Sequence, residues 1–196
     1  MASSRGRGVR SHLVFRPREF GSDRELAWDA PTLLAAMAGV TSRIRSAVHV
    51  LNASLRPPLL LAGQLAVAQA SSGGRLEVGL GTGSWHLARH DHRAAGVPFP
   101  PFAERVTRLE ATCRSFRALW RGETVTDDVI GLEEASLGPI GIDPPPIVVV
   151  GTSDRGLAVA AASLASTRAA EKRPSPYRST MLLARPSSWS AKTMCS

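Results

Sequence analysis

A chain of 196 residues with 43% hydrophobic content and a mean hydropathy of −0.03 is long enough for one domain with its own core. Its net charge of +8 belongs to its ends: residues 1–24 carry +4, residues 163–196 carry +5, and everything between sums to −1. That distribution argues against nucleic-acid binding, which would need the basic residues gathered on a folded face, and no run approaches the roughly 18–20 apolar residues of a membrane span.

In chain order, the first clear element is a helix over Thr32–Ala38, capped by Asp29, with Pro31 in its first turn and Gly39 as its stop. Ile44–Leu51 is short, apolar and partly β-branched, the pattern of a strand. Pro57 and Pro58 open a second helix, Leu59–Ala70, which ends at Ser71-Ser72-Gly73-Gly74. Leu76–Gly81 reads as a second strand. The stretch after it, rich in His86, His90 and His92, reads as loop, and Val97-Pro98-Phe99-Pro100-Pro101 continues it. A helix follows over Phe102–Arg121, where Val106, Leu109, Cys113, Phe116 and Leu119/Trp120 recur every three or four positions and give one buried face. Asp143-Pro144-Pro145-Pro146 then leads into the apolar strand Ile147–Val150, with a further helix expected from near Ser153.

Strands separated by helical crossovers of this length imply a parallel sheet with helices outside it. The near-continuous apolar runs fit strands covered on both faces. The fold class is therefore α/β, either an open doubly wound sheet or a β/α barrel. In both, ligands sit beyond the C-terminal ends of the strands, which directs attention to residues 49–52, 81–86 and 151–154.

The strongest chemical signal lies there: Glu77-Val78-Gly79-Leu80-Gly81-Thr82-Gly83-Ser84. Glycines at alternate positions let the backbone turn sharply and bring its N–H groups close to an anion or a ring edge, while Thr82 and Ser84 add hydroxyls. The same glycines could also serve the turn alone. A dinucleotide fingerprint wants a third glycine where Ser84 stands, and a phosphate-binding P-loop wants a Gly-Lys-Ser/Thr that the chain lacks. A class I methyltransferase, using the loop Glu77–Gly83 for S-adenosylmethionine, needs a helix directly after the glycines and then a strand ending in an acid. The His-rich and proline-rich continuation offers neither.

The order of segments resembles the luciferase-like monooxygenase family, especially its deazaflavin-dependent branch. The matching stretches begin with Pro31-Thr-Leu-Leu-Ala-Ala-Met-Ala, Thr41-Ser-Arg-Ile-Arg45, Arg56-Pro-Pro-Leu-Leu and Gln64-Leu-Ala. They continue with Ser72-Gly-Gly-Arg-Leu76, Val78-Gly-Leu-Gly-Thr-Gly83, Gly96-Val-Pro-Phe-Pro-Pro101, Glu104-Arg105 and Arg108-Leu-Glu110. Leu119-Trp-Arg-Gly122, Pro144-Pro-Pro-Ile147 and Val150-Gly151 complete the series. The resemblance implies a (β/α)8 barrel of the bacterial luciferase type. It also implies an oxidoreductase acting on a small-molecule substrate by hydride transfer at a flavin or deazaflavin ring, with coenzyme F420 preferred over FMN. In such a protein Val50 and Asn52 would line the ring, with an unusual cis peptide nearby. Gly81, Thr82, Gly83 and Ser84 would hold the cofactor backbone, and Gly151, Thr152 and Ser153 would cap its phosphate end at a helix N-terminus. His86 and His90 are the candidates for a general acid or a polar contact, with solvated loop positions as the alternative. A complete barrel would be expected to form a homodimer.

The ends depart from this pattern. Residues 1–25 form a basic segment without the apolar stretch of a secretory signal, and residues 162–196 are rich in Ser, Arg and Pro, with both lysines of the chain, Lys172 and Lys192. Composition of that kind does not support a packed core, so the barrel segment is assigned to residues 26–161. A barrel of this class runs to about 250 residues; the expectation is therefore a truncated or frame-disturbed member with weak or no activity by itself, the alternative being an inactive fragment with basic tails. Two cysteines, Cys113 and Cys195, make neither a disulfide framework nor a metal site, consistent with a cytoplasmic setting.

Overall fold

The computed structural model describes residues 29–83 and 85–150, the side chains of Trp85, His86 and Val150 excepted. Helix α1 (Ala30–Val40) begins where expected: the Asp29 carboxylate accepts a hydrogen bond from the Thr32 N–H at 3.1 Å, and Pro31 occupies the first turn. It runs through Gly39 instead of stopping there. β1 (Ser46–Asn52) starts two residues later than Ile44, which is exposed. α2 (Pro58–Ser71) opens on the double proline and closes at Ser72, where Gly73 and Gly74 take positive φ to reverse the chain. β2 (Leu76–Gly81) and β5 (Ile147–Val150) have the limits read from their apolar runs.

Between them lie four elements, three of which the sequence did not announce. The His-rich stretch is a helix, α3 (Trp85–Ala94), and not a loop. Its buried residues Ala88, Asp91 and His92 lie three and four apart on one narrow face. α4 (Phe102–Trp120) buries the predicted stripe, with Leu109, Phe116, Leu119 and Trp120 all but inaccessible. A small antiparallel hairpin, β3 (Val125–Asp127) and β4 (Leu132–Ala135), follows it.

β1, β2 and β5 form one parallel sheet in the order β1-β2-β5. Leu76, Val78 and Leu80 of β2 pair in register with Ser46, Val48 and Leu51 of β1, and Val78 and Leu80 with Ile147 and Val149 of β5. These residues share the face covered by helices, where Leu61 and Leu65 of α2 and the apolar stripe of α4 complete the core. Trp120 fixes the α2–α4 contact by donating its indole N–H to the Ala62 carbonyl at 3.0 Å.

The strand period of two places Glu77, Gly79 and Gly81 on the opposite face of the sheet. β2 is buried throughout, as expected of a central strand, but in β1 Ala47 and His49 are exposed on that face.

The two ends of the sheet are built differently. At the N-terminal end the Gln69 side chain accepts from the Leu76 N–H and donates to the Asp143 carbonyl, while Arg75 donates to the carbonyls of Thr41, Ile44 and Ser72. Both side chains bond to backbone and close that end. The C-terminal end carries the candidate site.

Candidate functional site

β1 and β2 approach unusually closely before they reach the site. The β1–β2 ladder shifts register between Val48 and Leu51, and the His49–Val50 peptide bond is cis, at the position where the family resemblance implied one. Only glycine fits opposite: a Cβ on Gly79 would lie 2.4 Å from the Val48 carbonyl oxygen and 2.8 Å from His49 Nδ1. On the neighbouring strand, His49 Nε2 stands 3.1 Å from Oε1 of the buried Glu77.

Beyond the strand end, Asn52 and the glycine loop meet. Gly83 takes φ +77°, and a Cβ there would stand 2.6 Å from Asn52 Nδ2 and 2.7 Å from the Ala88 Cβ. The missing side chain is thus replaced by protein: the Asn52 carboxamide on one side, the α3 helix on the other. These two glycines do not leave a hollow; they admit neighbouring protein groups.

Below the loop sits Arg105, 2% exposed, whose Nη1 donates to the Thr82 carbonyl at 2.9 Å and the Gly83 carbonyl at 3.1 Å. Its guanidinium stacks over Phe99 at 4.3 Å from the ring centroid. Burial lowers its pKa from the ordinary arginine value, though a guanidinium stays charged at any physiological pH. In a trans peptide the C=O and the following N–H point in opposite directions. By holding the Thr82 carbonyl, Arg105 therefore turns the Gly83 N–H to the other side of the loop.

Asn52 is itself fixed. Its Oδ1 accepts from the Ser54 N–H at 3.0 Å, so its Nδ2 is the atom that faces His92 Nε2 at 3.1 Å. His92 is fully buried, and its Nδ1 lies 2.6 Å from the Pro98 carbonyl oxygen, which can only accept. Nδ1 therefore carries the proton, Nε2 accepts from Asn52, and the ring is neutral. Burial lowers the His92 pKa, the Pro98 bond opposes that shift, Arg105 adds to it and Asp91 opposes it. The ring edge also meets Phe99 at 5.1 Å between centroids. Among the described residues this is the best-determined polar network at the strand ends. His92 and Arg105 carried no site role in the sequence reading, and His49 and Glu77 entered it only as members of the stretches 49–52 and Glu77–Ser84. The available signal for His92 was its place with Ala88 and Asp91 on one helical face, which the loop reading of that stretch concealed.

The structure brings Asn52, Thr82 and Gly83 together at one sheet end, with Gly81 and Val50 on the strands behind them. His90 lies on α3, half-buried, with Nδ1 shielded from solvent and without a hydrogen-bond partner among the described residues, so it is not a solvated loop position. His86 is a helical residue whose side chain lies outside the described set. Ser84, Gly151, Thr152 and Ser153 lie outside the described residues, as do the helix expected near Ser153 and both terminal segments. On the side of β1, Asp29 pairs with Arg56. Burial raises the Asp29 pKa, but hydrogen bonds from Thr32 and Arg56, together with the Arg56 charge, outweigh it and hold the carboxyl below its usual value.

The sequence profile of the luciferase-like monooxygenase family matches residues 16–174. The chain belongs to that family. An uncharacterised protein of Mycobacterium tuberculosis is 33% identical over 131 residues, covering 66% of this chain and 43% of the relative. Pyrimidine monooxygenase RutA of Enterobacter is 30% identical over 156 residues, covering 76% of this chain and 42% of that protein. Among solved structures, an F420-dependent secondary alcohol dehydrogenase superposes with a TM-score of 0.59 at 22% identity, covering 70% of this chain and 42% of its own. EDTA monooxygenase from Chelativorans gives 0.58 at 22% identity, covering 76% and 39% respectively. The chain thus spans less than half the length of these relatives, and its parallel sheet is a segment of the luciferase-like β/α barrel.

The methyltransferase topology does not survive this comparison. A helix does follow the glycines, contrary to the loop expected there. The next strand, however, is the three-residue β3 of a separate hairpin, and the next partner of β2 is β5, which ends in Val149-Val150 with no acid.

Proposed function

We propose that this chain binds a flavin or deazaflavin at the C-terminal ends of β1, β2 and β5, and serves an oxidoreductase that transfers hydride to or from a small-molecule substrate. The observation that carries this reading is the arrangement at the end of β2: the Asn52 carboxamide lies against Gly83, and the Thr82 and Gly83 carbonyls are held by Arg105, which leaves the Asn52 carboxamide, the Thr82 hydroxyl and the Gly83 N–H as the donors the reading assigns to the cofactor. These donors suit the acceptor-rich edge of a flavin-type ring or its polyol chain, so the residues present fit the group. The cofactor would supply the redox chemistry and the protein the orientation.

Val50 and Asn52 would flank the ring, residues 81–84 its side chain, and Gly151, Thr152 and Ser153 the phosphate end. Coenzyme F420 is favoured over FMN because the sequence motifs resemble the deazaflavin-dependent branch most. His90, with its shielded Nδ1, is a better candidate for a polar contact than a surface histidine would be.

Titration of the purified chain with F420 and with FMN, followed by absorbance and fluorescence of the ring, tests the reading. Saturable one-to-one binding, weakened about ten-fold or more by Asn52→Ala as expected for loss of one buried donor, is the expected result. Absence of binding by either cofactor refutes it.

A further inference from the structure

The His92–Asn52 contact has chemical content beyond packing. A buried histidine at the back of a site can be held by any pair of acceptors, and it then says nothing about its neighbours. Here the bonding is directional at both ring nitrogens. The Pro98 carbonyl fixes the proton on Nδ1, and Ser54 fixes which end of the Asn52 amide faces Nε2. Each assignment forces the next, so one tautomer of one charge state satisfies every partner.

We infer that His92 is a positioning residue whose Nε2 fixes the Asn52 carboxamide, leaving the second Asn52 amide proton as an oriented donor at the strand end only while His92 is neutral. Protonation of His92 at Nε2 sets an N–H against the Asn52 NH₂. The amide cannot answer by flipping, because its NH₂ would then face the Ser54 N–H. The carboxamide must leave one partner or the other, and Gly83, in contact with it, leaves the loop free to feel that movement.

The charged groups that bear on His92 are Arg105 of α4, which disfavours the imidazolium, and Asp91 of its own helix, which favours it; Phe99 and Pro98 of the connecting loop and Asn52 of β1 carry no charge. Burial leads these effects and sets the balance toward the neutral ring. The folded midpoint therefore lies below the ordinary histidine value of about 6.5. The donor is present at neutral pH and is lost on acidification. That this donor serves a flavin or deazaflavin rests on the function proposed above; the titration of the network does not.

The test uses the 196-residue chain with ¹⁵N-labelled histidine. Neutral His92 is expected as the Nδ1–H tautomer, titrating below about 6.5, with the Asn52 side-chain amide resonances moving at the same midpoint. Asn52→Asp replaces a donor by an anion facing Nε2 and is expected to raise the His92 midpoint, which checks the Nε2 contact, while the joint movement of the Asn52 amide resonances reads the positioning role. His92→Gln, which can present an acceptor without titrating, is expected to keep F420 affinity within about two-fold at neutral pH and to abolish its fall in acid; His92→Phe is expected to weaken it about ten-fold at every pH. An Nε2–H tautomer, an unmoved midpoint in Asn52→Asp, or an acid-sensitive His92→Gln overturns the inference. Should His92→Phe fail to fold, the His92 tautomer, the coupled Asn52 amide shifts and the acid behaviour of His92→Gln decide. If neither F420 nor FMN binds the parent chain while the titrations behave as stated, the cofactor reading falls and the positioning role stands.

Discussion

The contact between β1 and β2 at Gly79 gives a quantitative test of how the site is built. In Gly79→Ala the new methyl would lie 2.4 Å from the Val48 carbonyl oxygen, 2.8 Å from His49 Nδ1 and 3.0 Å from Val50 Cγ1. An ordinary carbon–oxygen contact is about 3.3 Å or more, so the overlap approaches 1 Å and falls on backbone, which cannot rotate away. The strands must separate where they already shift register. Overpacking of this kind costs about 1–3 kcal/mol, and backbone as the obstacle puts this case at about 3, a sizeable part of the roughly 5–15 kcal/mol that stabilises a domain. Gly39→Ala is the internal control. It lies inside α1 with nothing within 4 Å of the added carbon and without a positive φ, so the same substitution should stabilise by about 0.5–1 kcal/mol. Urea unfolding followed by far-UV circular dichroism reads both. Equal midpoints for Gly79→Ala and the parent chain would refute the claim that the strand irregularity depends on this glycine.

Arg105→Met keeps much of the buried volume but leaves the Thr82 and Gly83 carbonyls without their donor. It should cost about 1–3 kcal/mol in the same unfolding assay and weaken F420 binding more than it weakens the fold. Trp120→Phe removes the bond to the Ala62 carbonyl and part of a fully buried ring; a loss of about 1–2 kcal/mol is expected, with cofactor affinity unchanged, because the contact lies on the helix side of the sheet. Asp29 has a folded pKa below that of the unfolded chain, so its contribution is complete above about pH 4 and is lost as pH falls through the folded value. Asn at this position retains the helix cap but not the charge facing Arg56. Asp29→Asn should therefore be less stable than the parent at pH 7, by about 1–2 kcal/mol, and the gap should narrow in acid.

What the sequence made legible follows from where local signals agree with tertiary demands. β2 and β5 are apolar runs bounded by glycines or prolines, and their limits were read correctly because a buried parallel strand has no freedom to extend past such a boundary. The stop expected at Gly39 failed because one glycine costs a helix only about 1 kcal/mol, less than the packing of α1 on α2 supplies. α3 was invisible to periodicity. Its sequence is mostly polar, and its helix depends on a buried face of one alanine, one aspartate and one histidine that only the surrounding barrel segment can satisfy. The β3–β4 hairpin, with strands of three and four residues, is too short for an alternating pattern to register.

The glycine loop lies at the strand ends, as read from the sequence, and two of its glycines also admit close protein neighbours. Gly79 and Gly83 make room for protein groups, and the donors of the candidate site come from what those groups bring with them. The two ends of the sheet differ in what their long polar side chains bond to. At the N-terminal end, Gln69 and Arg75 spend their donors on backbone carbonyls, and replacing them would leave only unsatisfied backbone. At the C-terminal end, Arg105 bonds the Thr82 and Gly83 carbonyls, His92 engages the Asn52 amide, and His90 Nδ1 has no partner among the described residues. Burying a histidine and an arginine there is costly when apolar residues of similar volume could pack the same space. On the function proposed above, the C-terminal end, and not the helix-covered core, is the place where substitutions should separate binding from stability.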